Sequence, residues 1–141
     1  MYCTQEDLNS QVRLEVLIEL TDDERTGAVN VDRLNWAMEG ASDLIDSYAG
    51  ARYPVPLSPV PNVINRLAVD IALYNLFSRR GFDPEKTADQ SIVDRYKAAV
   101  AFLTKLAQGV VTIGLEPPAQ NDAVTVKAND RVFGRDSLLG W

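Results

Sequence analysis

The chain contains no histidine and only one cysteine, Cys3. Without histidine the common imidazole base and zinc ligand are missing, which excludes a Ser-His-Asp triad, a Cys-His nucleophile pair and a histidine metal site. A lone cysteine excludes an internal disulfide. No apolar run approaches the ~20 residues that a bilayer-spanning helix requires. Basic runs are also absent, and with 20 Asp and Glu against 14 Lys and Arg the net charge is −6, so attraction to DNA through phosphate neutralisation is not expected. Met1 to Ser10 lacks the basic start and apolar segment of a signal peptide, placing Glu6 and Asp7 where that segment would lie. That pattern predicts a protein that stays in the cytoplasm in which it is made. Among catalytic chemistries, only carboxylate-dependent ones remain open.

What is there suits one helical domain. The 141 residues are 46% hydrophobic and 24% charged, enough for a core that removes roughly two-thirds of the unfolded surface from water. Val31, Leu34, Met38, Ala41, Ile45 and Tyr48 recur at steps of three and four, which predicts a long amphipathic helix. Asn30 is placed to cap it, Asp32 suits its positive first turn, and Gly50 is expected as a left-handed stop. Gly40 lowers helix propensity and marks either a close helix contact or a slight bend.

Next comes Tyr53-Pro54-Val55-Pro56-Leu57-Ser58-Pro59-Val60-Pro61, whose prolines exclude helix and stiffen the chain. Val55, Leu57 and Val60 either fold back on the core, the favoured reading, or meet another protein. From about Asn62 to Arg79 the apolar spacing predicts a second long helix, ended by Gly81 and Pro84. On it Asp70 is expected to pair with Arg66 one turn earlier, and Arg79 and Arg80 suit its negative C-terminal end. A polar loop, Asp83 to Asp89, leads to a third long helix carrying Ile92, Tyr96, Ala99, Leu103 and Leu106 and stopping at Gly109.

Two shorter helices are expected near the start of the chain. Thr4 and Asp7 have capping-box spacing before Leu8 and Val12, and Leu14 to Leu20 is densely apolar. The acidic loop Thr21 to Gly27 lacks the alternating carboxylates of a calcium loop, so a solvated turn is favoured over a cation site. Val110 to Leu115 and Val124 to Lys127 read as short strands of a hairpin or arm that needs a neighbour. From Ala128 to Trp141 neither period is present, yet Val132, Phe133, Leu138, Leu139 and Trp141 stand among Arg131 and Arg135. This composition favours a docking tail that orders on a partner over one that packs on its own domain. The organisation expected is thus mainly α: a bundle of three long and one or two short helices (residues 1–109), a β arm (110–127) and an extended tail (128–141).

Several separated motifs carry a resemblance. Met1-Tyr2-Cys3-Thr4 leading to Asp7-Leu8, Glu19-Leu20-Thr21-Asp22, Ala41 to Tyr48, Arg52-Tyr53-Pro54-Val55-Pro56-Leu57, Asp70 to Tyr74, Arg95 to Ala99, Leu106 to Gly109 and Arg131 to Leu138 resemble a small protein family of Mu-like phages and prophages. That family lies among head-morphogenesis genes, and its helical layout is similar to the head-tail connector, or adaptor, proteins of tailed phages. The resemblance implies a virion structural protein assembled as a homo-oligomeric ring beneath the portal protein, presenting a platform to a stopper or tail protein. DNA would pass through its channel without specific binding, and neither enzyme activity, cofactor nor membrane is implied. It also implies that the tail residues Arg131, Val132, Phe133, Arg135, Leu138, Leu139 and Trp141 anchor on the portal. Tyr53, Pro54, Val55, Pro56 and Leu57 become candidates for a contact between protomers. The alternatives are a tail terminator or other completion protein and, from a different class, a carboxylate-dependent enzyme using Asp43, Asp46 and Asp70.

Overall fold

A computed structural model describes residues 1–118. It contains α1 (Gln5–Asn9), α2 (Leu14–Thr21), α3 (Val31–Ala49), α4 (Asn62–Arg80) and α5 (Thr87–Ala107). The expected caps are in place. Thr4 Oγ1 accepts from the Asp7 backbone N–H at 3.3 Å while Asp7 accepts from the Thr4 N–H at 2.8 Å, completing a capping box on α1. Asn30 accepts from the Arg33 N–H at 3.1 Å at the head of α3. Gly81 closes α4 with φ +90°, a conformation that a side chain would strain.

The long helices run up, down and up. Asn75 near the end of α4 donates to the Ala37 carbonyl near the start of α3 at 3.2 Å, whereas Asn65 near the start of α4 shares Tyr2 with Ser42 and Asp46. Hence α3 and α4 are antiparallel. Arg80 meets Asp89 at one end of the α4–α5 pair, and Asp70 meets Arg95 further along, so α5 returns parallel to α3. α4 is central and touches each of the other four helices. Its Ile64, Ile71, Leu73 and Leu76 are enclosed with Leu8, Leu17, Leu34, Ile45, Leu103 and Leu106. Complete burial of one such side chain contributes about 1.5–3 kcal/mol. Gly40 turns out to mark a close contact: a Cβ built there would lie 3.4 Å from Asn75 Nδ2.

Four local expectations are corrected. Gly50 ends α3 in ordinary right-handed geometry (φ −59°), because its N–H still reaches the Asp46 carbonyl in helical fashion. Asp70 pairs with Arg95 on α5 rather than with Arg66, since a partner across a packed helix interface is better shielded than a reversed pair along one helix. The polar loop before α5 is shorter than Asp83 to Asp89, because Asp89 lies inside the first turn of the helix. Val110 to Leu115 forms no strand. Instead Ile113 is buried and Val111 and Leu115 pack against the helical core, which gives the apolar groups a neighbour without a ladder. The second expected strand, Val124 to Lys127, lies outside the described residues.

Candidate functional site

Chemistry concentrates where α3 ends, α4 begins and α5 leaves the bundle. Tyr2, before any helix and only 5% exposed, ties this end together. Its N–H donates to Ser42 Oγ at 3.0 Å and its hydroxyl donates to Asp46 on α3. The same hydroxyl accepts the Leu57 N–H at 2.7 Å, and the Tyr2 carbonyl accepts Asn65 Nδ2 at 3.0 Å. Burial, reinforced by the Asp46 carboxylate, pushes the Tyr2 hydroxyl up to about 12, so it stays a donor at neutral pH. Next to it, burial and the nearby Asp7 raise the Cys3 thiol to about 11, leaving it a protonated core group.

This clamp fixes the proline connector. Tyr53 and Leu57 are each 3% exposed and face the core, while Pro54, Val55 and Pro56 face solvent. The expected folding-back therefore holds for Leu57, whereas Val55 and Val60 stay exposed. Arg52 lies across Gly109, whose positive φ and missing side chain leave room for the guanidinium. It forms no ion pair with Asp43 or Asp46 among the described residues, contrary to expectation, because Asp46 is held by Tyr2 and Arg52 has turned to the end of α5. Beyond Ile113 the chain crosses back so that Pro117 and Pro118 form a groove of about 510 Å³ with Gly50, Arg52, Tyr53 and Pro54. Within this end the Tyr53 hydroxyl is buried with no hydrogen-bond partner among the described residues. The connector turn and the point from which the chain continues towards its tail are thus neighbours. The tail residues Arg131, Val132, Phe133, Arg135, Leu138, Leu139 and Trp141 lie outside the described residues.

The model of the family described as Bacteriophage Mu, Gp36 matches residues 2–132. The chain belongs to the Gp36 family. It is 30% identical to the Mu-like prophage FluMu protein gp36 of Haemophilus influenzae over 145 aligned positions, covering the whole chain and 98% of that relative. It is also 29% identical to Gene product J of Escherichia phage Mu over 104 positions, covering 70% of the chain and 69% of that relative.

In this Gp36 family member the opposite end of the bundle is held by charge. Arg79 donates to the Leu20 carbonyl and to Asp23, both at 2.8 Å, and Arg33 reaches the same Asp23 at 3.1 Å. Arg80 donates to both oxygens of Asp89 at 2.8 Å and lies over the Phe77 ring. The Asp83 N–H, ahead of Arg80, holds the Asp89 carboxyl below the usual carboxylate range. Arg79 and Arg80 therefore pin α2 and the head of α5 as well as suiting the helix end. In the acidic loop Asp22 accepts from the Thr26 and Gly27 N–H groups at 2.9 and 2.7 Å. The described residues include no group of three or more metal-ligating side chains.

The three carboxylates weighed for catalysis do not share a partner. Asp43 is exposed, Asp46 is held by Tyr2, and Asp70 is held by Arg95, which also donates to Gln11 at 3.2 Å. Asp70 and Arg95 border a polar cleft of about 390 Å³ with Asp7, Gln11, Asn65 and Arg66. No described helix is long and apolar enough to cross a membrane.

Two residues of consequence were not singled out by pattern. Tyr2 carried no periodic signal because it precedes every helix. Trp36 is 56% exposed on α3, and the spacing that found the apolar edge offered the signal, since Trp36 falls off that edge.

Proposed function

We propose that this Gp36 family member is a virion structural protein, a head-tail connector subunit. It assembles as a ring under the portal, extends the DNA channel and offers its far face to a stopper or tail protein. The observation that carries this reading is the meeting of the clamped connector turn with Pro117 and Pro118 at one end of a rigid up-down-up bundle. Such an arrangement launches the apolar, arginine-bearing tail from beside a stiff protein surface, so both elements reach one docking partner together. The body supplies a spacer of defined length, its core fixed by burial and its ends by hydrogen bonds and ion pairs. The −6 net charge suits a channel past which DNA slides without adhering. The carboxylates have structural work, in the Tyr2 clamp and the Arg95 and Arg80 pairs, which supports a structural rather than a catalytic role.

Co-sedimentation with the portal ring encoded beside the gene tests this, comparing the full chain with one truncated after Lys127. Stoichiometric binding that is lost on truncation is the expected result. No binding by either form would overturn the connector reading and leave the fold as it stands.

A further inference from the structure

The outward face of α3 presents Asp32, Trp36, Glu39, Asp43 and Ser47, all exposed and separated by three or four residues. Trp36 leaves 56% of its surface in solvent. None of the three carboxylates forms an ion pair among the described residues. No cation lies on this stripe to balance them. On α5 the outward face presents Lys97, Ala98, Ala101 and Lys105, and neither lysine has a carboxylate partner among the described residues. Asp94 stands one turn earlier on the same face.

The two faces match in sign and spacing. At 1.5 Å per residue, Asp32 and Glu39 are about 10 Å apart along α3, and Lys97 and Lys105 are about 12 Å apart along α5. Laid parallel with Trp36 over the two alanines, Asp32 meets Lys97 and Glu39 meets Lys105. Asp94 then falls beyond the start of α3, where the positive helix end favours it. The antiparallel alternative sets Asp94 against Asp43. A parallel contact is also what symmetry offers. Within one copy α3 and α5 run in the same direction, so copies related by rotation about an axis along the bundle present α3 of one to α5 of the next in that sense.

We propose that these faces join successive copies of this chain, Trp36 of one seating on Ala98 and Ala101 of the next between the Asp32–Lys97 and Glu39–Lys105 pairs. The contact rests on the ring reading above and supplies its subunit interface. Two different faces meet, so the contact is heterologous and propagates until it closes. The enclosed indole carries the affinity, and the exposed charges fix direction and register.

The test uses full-length chains in which one face at a time is reversed: Asp32→Lys with Glu39→Lys, or Lys97→Glu with Lys105→Glu. Carbodiimide cross-linking of isotopically mixed, concentrated protein, alone and on the portal ring, is read by mass spectrometry. Wild type is expected to give intermolecular Asp32–Lys97 and Glu39–Lys105 links. Either reversed variant alone loses about tenfold or more of the linked species, because each of its faces now meets a like charge. Mixing the two variants restores linkage, since every α3 then faces an α5 of opposite sign. Trp36→Ala, which alters no charge, also lowers the yield. Circular dichroism of every variant matches wild type, all the altered side chains being in solvent. Oligomers that form equally well in the reversed variants, or links joining Asp32 to Lys105, would overturn this contact while leaving the ring. A wild-type chain that gives no multi-copy assembly, free or on the portal, would remove the ring and the contact with it.

Discussion

Replacing Tyr2 by Phe removes one oxygen and leaves the ring. That oxygen donates to Asp46 and accepts the buried Leu57 N–H, so the substitution deletes two hydrogen bonds and strands one donor. A net hydrogen bond to a charged group contributes about 1.5–3 kcal/mol, and an orphaned buried N–H costs about 1–3 kcal/mol. Asp46 is half-buried and regains water, which holds the first contribution near its lower bound. The expected loss is therefore about 2–3 kcal/mol, a fall of about 1 M in the urea midpoint for m near 2 kcal/mol per M. The measurement is equilibrium urea unfolding followed by far-UV circular dichroism. A double-mutant cycle with Asp46→Asn should return a coupling of about 1 kcal/mol. Alkaline pH supplies an independent readout. Because the folded-state value is raised to about 12, the contribution of the neutral hydroxyl is complete below the unfolded value of about 10 and is lost as pH rises towards 12. Tyr2→Phe lacks that loss. A midpoint shift under about 0.2 M, with no coupling to Asp46, would refute the idea that Tyr2 clamps the connector.

Asp89 has the opposite sign. Its carboxyl is held low by the Asp83 N–H and by Arg80, so its contribution is present above the unfolded value of about 3.9 and lost as pH falls through the lower folded value. Asp89→Asn should destabilise at pH 7 by about 3 kcal/mol, having left Arg80 without its partner at the α5 head, and should flatten the acid limb of stability against pH measured by urea unfolding. Gly40→Ala should raise the melting temperature by about 2–4 °C: helix propensity improves by about 0.5–1 kcal/mol, and the new Cβ meets Asn75 at an ordinary contact distance. A fall in melting temperature on that change would mean that α3 and α4 are packed more tightly than their geometry indicates.

The helices were legible because their causes are local. Apolar residues at three-four spacing, Thr4 with Asp7, Asn30 and Gly81 each act within a turn or two of chain, and each sits where its chemistry placed it. Pairings across the fold were not legible. Arg66 and Arg95 are equally plausible partners for Asp70 until α5 is seen to lie alongside α4. Tyr2 reaches residues 40 to 63 positions away, and nothing near it in sequence announces that span. Val110 to Leu115 misled for a related reason: β-branched residues favour strands only where a pairing edge exists, and here the helical body offered an apolar surface instead. At the connector, proline geometry foretold stiffness, while which apolar side chains turned inward depended on Tyr2.

The Tyr2 clamp also gives the molecule a front and a back for anyone attaching something to it. Met1 is two-thirds exposed and sits one residue from the clamp, and Pro118 emerges from the same end of the bundle. An affinity tag fused ahead of Met1 therefore projects beside the connector turn and competes for space with whatever docks there. The turn between α4 and α5, around Pro84 to Lys86, lies at the other end, where the surrounding ion pairs are made by Arg79, Arg80 and Asp89. A small label inserted in that turn leaves the clamp, the groove and the outward faces of α3 and α5 unobstructed.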